Sequence, residues 1–211
     1  MKKTLALAAL ALVAATPLAQ AQDSGNWLVR GRAVYIDPAN KGIDGLEVST
    51  KTIPEVDITY FFSPNLATEL ILTYPQKHDV SLGGTNIGTL KHLPPTLMLQ
   101  YHFTGMQGFR PYVGAGVNLT LFSSVKLAGG DASIEGSSTG LAIGAGFDVP
   151  LGGGWMFNVD VKKVQIRTDV GLNMGSEARR ESAKGLNPAH TNIGTLKVDP
   201  LLVGIGIGKR F

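Results

Sequence analysis

Apolar and polar residues alternate along most of the chain beyond residue 25. Alternation with a period of two is typical of β-strands whose two faces meet different surroundings. Eight segments of roughly ten residues show it, and they cover approximately residues 26–37, 52–62, 65–75, 93–104, 109–122, 138–150, 154–168 and 196–211. No apolar run in this part of the chain reaches the length of about 20 residues that a membrane-spanning helix needs. The pattern therefore predicts an all-β protein.

The connections between the predicted strands alternate between long and short. The long connections are residues 38–51, 76–92, 123–137 and 169–195, and the short ones are residues 63–64, 105–108 and 151–153. This order is typical of an up-and-down β-barrel with tight turns at one end and long extracellular loops at the other. A soluble β-sandwich, the alternative, has no reason to separate its loops by length. The predicted fold is therefore an eight-stranded antiparallel transmembrane β-barrel with both termini in the periplasm.

Each predicted strand carries one strongly apolar face and one mixed face. In the strand at 109–122, Val113 and Leu121 share the apolar face, whereas Arg110 and Asn118 lie on the other. An apolar face suits lipid, and a mixed face rich in glycine suits the narrow lumen of an eight-stranded barrel. Aromatic residues near the short turns predict a girdle at the membrane surface: Trp27, Tyr60, Phe62, Tyr101, Phe103, Phe147 and Trp155.

The beginning of the chain has the order of a secretory signal peptide. Two lysines follow Met1, residues 5–15 are wholly apolar, and Ala19-Gln20-Ala21 forms a small-x-small cleavage site. We therefore assign residues 1–21 to a cleaved signal peptide and residues 22–211 to one barrel domain. Loss of the two lysines lowers the net charge from +3 to +1, and the chain has no cysteine. The small net charge gives little support for an acidic partner such as nucleic acid. Disulfide bonds are excluded because cysteine is absent.

Five stretches of the chain carry a recognisable family pattern. They are Trp27–Arg30, Tyr35–Pro38, Lys91–Met98 (KHLPPTLM), Arg110–Asn118 (RPYVGAGVN) and the end of the chain from Val198 to Phe211. These motifs resemble the OmpW family of small outer-membrane proteins, and the resemblance covers the whole mature chain. It implies an eight-stranded barrel with a narrow apolar channel. It also implies passage of small hydrophobic compounds across the outer membrane, as proposed for the related AlkL-type importers.

The last strand alternates up to a C-terminal phenylalanine, Phe211. Such an ending resembles the signal by which the barrel assembly machinery recognises outer-membrane barrels. Lys209 stands where the family has an aromatic residue, and its long side chain can reach the lipid headgroups. The expected partners are therefore the assembly machinery, outer-membrane lipid, lipopolysaccharide and small hydrophobic solutes, with no nucleic acid.

The directions of the strands sort the inward side chains by their height in the lumen. Those predicted nearest the periplasm are mostly ionisable, carry both signs of charge and form a polar plug, because buried charges must pair or stay hydrated: Arg30, Arg32, Asp57, Glu69, His102, Arg110, Asp148, Asp160, Lys162 and Arg210. Those predicted nearest the long loops line an apolar funnel: Val34, Ile36, Ile53, Ile71, Phe122, Val164, Ile166, Val198 and Leu202.

A lumen divided in this way favours a sideways exit into the lipid. A hydrophobic solute gains nothing by crossing the charges, and an opening in the wall needs broken ladder hydrogen bonds. Proline lacks the backbone N–H that a ladder requires. The lateral opening is therefore assigned to prolines near the outer ends of descending strands: Pro54, Pro94, Pro95 and Pro200. Each of these prolines is explained equally well as the start of a strand.

Two other functions stay open at this point. A structural or adhesive barrel, or a phage or bacteriocin receptor, would act through the long loops. A lipid hydrolase needs a nucleophile, a base and an orienting acid, and the all-β pattern offers no nucleophile elbow between a strand and a helix. We therefore expect no enzymatic activity and no cofactor. His78-Asp79 is too small a group to predict a metal site.

Overall fold

The computed structural model describes residues 25–127, 132–134, 136–173 and 190–211, so the predicted signal peptide lies outside the described residues. No helix in this part of the chain could cross a membrane. The described residues form fourteen β-strands: β1 (Trp27–Asp37), β2 (Leu46–Val48), β3 (Lys51–Phe61), β4 (Leu66–Thr73), β5 (Gln76–Leu82), β6 (Thr85–Leu93), β7 (Thr96–His102), β8 (Arg110–Leu127), β9 (Ala132–Ile134), β10 (Ser137–Gly152), β11 (Trp155–Val164), β12 (Arg167–Asn173), β13 (His190–Lys197) and β14 (Leu201–Arg210).

Eight of these strands close into one antiparallel ring. Their order around the barrel is β1, β3, β4, β7, β8, β10, β11 and β14. The ring closes where β14 pairs with β1, from Leu28 opposite Arg210 to Asp37 opposite Leu201. Closure provides partners for backbone N–H and C=O groups that lipid cannot hydrogen-bond. The predicted eight-stranded up-and-down barrel is confirmed.

The remaining strands extend the barrel wall at its long-loop end. β5 and β6 form a hairpin that continues β4 and β7, and β12 and β13 form one that continues β11 and β14. β2 pairs with β5, and β9 pairs with β12. Residues 76–92 are therefore a hairpin and not the predicted loop, because a strand ladder gives their backbone groups partners. Their glycine and short polar residues obscure the alternation in the sequence.

The two faces of the wall differ as the alternation predicts. On the outer surface, large apolar side chains such as Leu97, Leu99 and Val117 are at least 50% exposed. On the inner surface the side chains are buried, and Glu55 and Asp57 of β3 are 5% and 0% exposed. An apolar outside around a polar inside is the arrangement of a barrel that stands in lipid.

Aromatic side chains meet near the short turns. The ring centroids of Trp27 and Tyr60 are 4.8 Å apart in an edge-to-face arrangement. The Nζ atom of Lys209 lies 5.2 Å from the centroid of the Trp155 ring. This cation–π contact holds the Lys209 ammonium at the level of the aromatic girdle.

Glycine makes room for large side chains in the lumen. A Cβ atom on Gly146 would lie 2.5 Å from the hydroxyl oxygen of Tyr112, and one on Gly208 would lie 2.6 Å from Cγ of Arg30. Non-bonded carbon atoms do not approach other heavy atoms this closely. Both positions therefore need glycine, which allows another group to pack directly against the backbone.

We expect a charge on the outer surface to destabilise the barrel most where that surface meets the middle of the lipid layer. Leu99 is 54% exposed and lies near the middle of the chain between Leu93 and Phe103. Leu99→Arg should therefore lower the free energy of unfolding in bilayers by about 2–4 kcal/mol. The matched control Phe103→Arg, at the aromatic girdle, should cost about 0–1 kcal/mol. Urea titration of the protein in lipid vesicles measures both, and equal losses would contradict this placement.

Candidate functional site in the barrel lumen

A network of buried ion pairs fills the half of the lumen nearer the short turns, and Arg30 lies at its centre. The guanidinium of Arg30 donates two parallel hydrogen bonds to Asp148, from Nε to Oδ1 at 3.1 Å and from Nη2 to Oδ2 at 2.7 Å. Its Nη1 donates to Asp57 Oδ1 and to Thr59 Oγ1, both at 3.0 Å. Bidentate pairs of this kind are among the strong hydrogen bonds. Arg30 thereby connects β1 with β3 and, across the lumen, with β10.

Arg32 extends the network from the next inward position of β1. Its Nη1 lies 2.8 Å from Glu55 Oε1, and its Nη2 lies 2.7 Å from Glu69 Oε1 and 2.9 Å from Asp57 Oδ2. Its Nε donates to Asn158 Oδ1 at 2.7 Å. Arg32 thereby connects β1 with β3, β4 and β11.

Lys162 joins the network from β11. Its ammonium pairs with Asp160 on the same strand and lies 3.5 Å from Glu55 Oε1. The hydroxyl of Tyr112 donates to Asp160 Oδ2 at 2.9 Å and accepts a hydrogen bond from Asn158 Nδ2 at 3.0 Å. The neutral side chains of Tyr112 and Asn158 therefore lie between the charged ones and supply them with further hydrogen-bond partners.

His102 reaches the network through a neutral partner. Its Nε2 lies 3.0 Å from Gln100 Oε1, and Gln100 Nε2 donates to Glu69 Oε2 at 2.7 Å. The His102 ring also packs against Tyr112, with the ring centroids 4.9 Å apart. The alternation places Gln100 and Tyr112 on inward faces, but only the folded barrel shows that they complete the network.

The last two residues of the predicted polar plug lie at the edge of the network, nearer the short turns. Arg210 is half-buried, its Nε donates to the Gly25 carbonyl at 2.7 Å, and its guanidinium carbon lies 4.0 Å from the centroid of the Phe61 ring. Arg110 is half-buried at the start of β8, opposite Asp148 in the strand ladder.

The lower lumen holds buried charges of both signs. Its buried members are three basic and five acidic side chains: Arg30, Arg32, Lys162, Glu55, Asp57, Glu69, Asp148 and Asp160. Each buried ion costs several kcal/mol unless it is paired and hydrogen-bonded. The charged members come from β1, β3, β4, β10 and β11, so the network joins opposite sides of the wall.

Apolar side chains fill the half of the lumen nearer the long loops. The structure brings the predicted apolar residues into two clusters that share Leu202. Val34, Ile36 and Ile53 form the smaller cluster, and the larger one contains Ile71, Val164, Ile166 and Val198 with Phe122 packed against it. The division of the lumen by height therefore follows the side-chain chemistry along each strand.

The apolar half is packed, whereas the sequence predicted an open funnel. Leu46 and Val48 of β2 are 5% and 2% exposed in the larger cluster, and Ile43 packs against it. Asn40 holds this segment, because its side chain donates to the Val48 carbonyl at 3.1 Å and accepts from the Val48 N–H at 3.0 Å. Apolar surface open to water is unfavourable, so the first long connection folds over it. We call residues 43–48 the cover.

A narrow cavity remains beneath the cover. Apolar side chains make up most of its lining, and two histidines complete it: Ile36, Pro38, Val48, His78, Leu90, His92, Phe122, Ile166, Val198 and Pro200.

The strand ladder is interrupted at one place between β4 and β5. On the β3 side, the last ladder pair before the interruption is Glu55 with Thr73. On the β7 side, it is Ile71 with Thr96. Beyond the interruption the ladder resumes where Gln76 pairs with His92. Tyr74 and Pro75 lie between these pairs and have no ladder partner on either side in the described part of the chain. We call this place the wall gap.

Three of the four predicted prolines border the wall gap. Pro54 lies opposite Ala33 of β1, and the pairing of β3 with β4 begins only at the next residue, Glu55. Pro94 and Pro95 separate β6 from β7, and Asn118 Nδ2 donates to both of their carbonyls at 3.3 Å. Pro75 is a further proline in the gap, at a position that the sequence predicted as the end of a strand.

Pro200 does not open the wall. The Val164 N–H donates to the Pro200 carbonyl at 3.2 Å, and the Val198 N–H donates to the Ile166 carbonyl at 2.9 Å. On the other side, the Ala39 N–H donates to the Val198 carbonyl at 2.7 Å. The assignment of Pro200 to a lateral opening is therefore corrected, because hydrogen bonds bridge its strand break on both sides.

A closed ring of eight strands with an apolar outer surface and a side-chain-filled lumen is the architecture of the small outer-membrane β-barrels. The model of the OmpW family matches residues 23–211, and the chain belongs to this family. The resemblance seen in the sequence motifs is thereby confirmed. Proteins of this kind sit in the outer membrane, in contact with its lipid.

Relatives cover most of the chain. Outer membrane protein W of Vibrio cholerae is 33% identical over 208 residues, which are 89% of this chain and 95% of that protein. Outer membrane protein AlkL of Ectopseudomonas oleovorans is 30% identical over 174 residues, 79% of this chain and 69% of that protein. The dibenzothiophene metabolism operon protein PahQ of Pseudomonas aeruginosa is 29% identical over 134 residues, 62% of this chain and 56% of that protein.

The fold is also similar to a solved structure. The crystal structure of the outer membrane protein OprG from Pseudomonas aeruginosa matches with a TM-score of 0.74 and 30% identity, over 89% of this chain and 96% of that chain. The location of this chain in an outer membrane agrees with the names of these proteins.

We expect Arg30 and Asp148 to be strongly coupled. Arg30→Met leaves Asp148 and Asp57 buried without their main partner, so it should lower the free energy of unfolding by about 3–5 kcal/mol. The double variant Arg30→Met/Asp148→Asn should recover part of this loss, because one unpaired charge is gone. Arg210→Met, at the half-buried edge, is the matched control and should cost less. Urea titration in vesicles measures all of them, and strictly additive losses would contradict the coupling.

Proposed function

We propose that this protein passes small hydrophobic compounds from the long-loop side of the barrel into the lipid of the outer membrane. The division of the lumen by height is the observation that carries the proposal. A solute gains roughly 25 cal/mol for each Å² of apolar surface that it moves from water into the upper lumen. It would lose this gain among the charges below, so a straight path through the barrel is unfavourable.

The wall gap is the exit that we infer. Ile71, in the larger apolar cluster, immediately precedes it along the strand. Pro54, Pro75, Pro94 and Pro95 border the gap and supply no backbone N–H, so few ladder hydrogen bonds have to break for the wall to open. A solute in the upper lumen therefore has a shorter route to lipid through the wall than to the periplasm through the network.

Access from the long-loop side requires the cover to move. β2 is three residues long and pairs only with β5 among the described strands. Such a short edge element opens at a lower cost than the barrel wall. We infer that displacement of Leu46 and Val48 precedes uptake and exposes the apolar clusters.

The orientation follows from the architecture. We place the short turns and both termini in the periplasm and the β5–β6 hairpin outside, as in other outer-membrane barrels. Exposed Lys77 and Lys91 face each other across this hairpin, where they suit the phosphates of lipopolysaccharide. The strand ending in Phe211 suits recognition by the barrel assembly machinery. Passage of this kind breaks no covalent bond, and we propose no catalytic residue.

One relative supports the hydrophobic class of solute. The name of PahQ links it to dibenzothiophene metabolism, and dibenzothiophene is an apolar aromatic compound. A lumen lined by aliphatic side chains and Phe122 suits such molecules.

Obstruction of the wall gap tests the proposal. The chain has no cysteine, so Tyr74→Cys supplies a single thiol at a position that is 52% exposed in the gap. A bulky maleimide attached there should abolish most of the protein-dependent uptake of N-phenylnaphthylamine, a hydrophobic probe whose fluorescence rises in lipid. Uptake is measured in intact cells that express the labelled protein.

The matched control is Leu119→Cys, which is 45% exposed on the outer surface of β8. The Leu119 N–H donates to the Pro95 carbonyl, and Leu119 pairs with Thr139 of β10. This residue therefore lies at a similar height but has hydrogen-bonded neighbours on both sides. Its labelling should leave uptake unchanged. Undiminished uptake with labelled Tyr74→Cys, or an equal loss for both variants, contradicts a lateral exit at the gap.

A further inference from the structure

Two histidines are buried in apolar surroundings at the top of the lumen. His78 of β5 and His92 of β6 are 1% and 7% exposed, and their rings are stacked with centroids 4.9 Å apart and planes at 29°. Both line the narrow cavity with Leu90, Phe122 and Ile166. Neither histidine is part of the ion network, and His92 meets the wall gap only through its backbone pair with Gln76.

The hydrogen bond of His78 determines which of its nitrogens is free. Its Nδ1 lies 2.8 Å from the carbonyl oxygen of Ser49, and a carbonyl oxygen can only accept. Nδ1 therefore carries the hydrogen, and Nε2 of the neutral ring is an acceptor with an available lone pair. This Nε2 is buried and has no hydrogen-bond partner in the described part of the chain. A buried acceptor without a donor is unfavourable, so a donor that enters the cavity would be held there.

Burial among apolar side chains disfavours the charged form of both histidines. Both histidines lie in the β5–β6 hairpin next to the exposed Lys77 and Lys91, on the long-loop side of the outward apolar residue Leu121. Burial lowers the pKa of His78, and burial together with the adjacent His78 ring lowers the pKa of His92 to about 3. The imidazoles therefore offer no positive charge to a carboxylate or phosphate. A neutral donor is the better match for Nε2.

A metal ion fits the pair poorly. The described residues contain no group of three or more His, Asp or Glu side chains placed to hold one. Stacked rings also direct their nitrogen lone pairs side by side, whereas metal ligands must converge on one point.

We propose that His78 Nε2 accepts a hydrogen bond from the hydroxyl group of a hydrophobic alcohol or phenol in the upper lumen. The inference rests on the proposed function and narrows its solutes to apolar compounds that carry a hydroxyl group. The apolar part of such a compound packs against Leu90, Phe122 and Ile166, while the hydroxyl reaches Nε2. His92, stacked on the first ring, is a positioning residue that keeps the ring in this orientation.

Nitrogen NMR of the unaltered protein tests the proposal. The full chain, with ¹⁵N-labelled histidine and labelled isoleucine methyl groups, is placed in lipid nanodiscs and titrated with 1-decanol or with decane. Both solutes should shift the methyl signals of Ile36 and Ile166. Only 1-decanol should move the His78 Nε2 signal from the free-acceptor position to the hydrogen-bonded one. The apparent affinity for 1-decanol, per lipid, should exceed that for decane by roughly two- to tenfold.

Two variants separate the hydrogen bond from packing. His78→Phe keeps a ring but removes Nε2, so the preference for 1-decanol should disappear while decane still binds. His92→Phe keeps the stacked ring and leaves His78 and Ser49 in place, so the preference should be retained. The titration of the unaltered chain decides the question even if a variant does not fold.

Three results have distinct meanings. In the first result, the His78 Nε2 signal is already at the hydrogen-bonded position before any solute is added, and 1-decanol does not move it. This result means that only water occupies the site, and it overturns the proposal. A preference that survives in His78→Phe also overturns it, and in both cases the isoleucine shifts leave the proposed function standing. If neither solute shifts the isoleucine methyl signals, the proposed function itself fails and the inference falls with it.

Discussion

The bidentate pair between Arg30 and Asp148 is the interaction on which the rest of the lumen depends. It connects residues 118 positions apart in the chain and joins β1 to β10 through two side chains that are almost completely buried. Once one charge is placed there, every neighbouring charge needs a partner. Tyr112 fits only because Gly146 has no side chain. The charges make the middle of the lumen unfavourable for an apolar molecule, which the apolar clusters of the upper lumen suit better.

The barrel wall has its own constraint, because lipid offers no hydrogen bonds to the backbone. Ladder hydrogen bonds give the backbone partners around most of the ring, but Tyr74 and Pro75 have no ladder partner in the described part of the chain. Gln76 compensates there, since its side chain donates to the Tyr74 carbonyl at 2.6 Å and to Thr73 Oγ1 at 3.1 Å. A few side-chain bonds of this kind break more readily than a ladder. In the described part of the wall, this gap lies beside the apolar half of the lumen.

Much of this architecture can be predicted from the sequence, because a strand residue in a barrel faces either lipid or lumen. The period of two therefore reveals the eight wall strands and the inward position of residues such as Arg30 and Ile71. Pairing across the lumen is not a local property, so the partners of Arg30 cannot be read from its neighbours. Gln100 and Asn158 carry no charge that would single them out.

Other features escape the sequence for reasons of length and context. β2 has three residues, which is too short for alternation to reveal that Leu46 and Val48 cover the lumen. Pro75 ends a predicted strand, and a proline there indicates a turn as readily as a gap. Pro200 interrupts its strand, yet hydrogen bonds from neighbouring strands bridge the break.

Single-channel recording across a planar bilayer tests most directly the claim that the ion network closes the lower lumen. The measurement uses the unaltered protein at neutral pH, with and without a hydrophobic solute. We expect no steady ion conductance in either condition, because the proposed solute path leaves through the wall and the network stays in place. A steady open current that rises with salt concentration would contradict it, since ions would then be crossing the region held by Arg30 and Asp148.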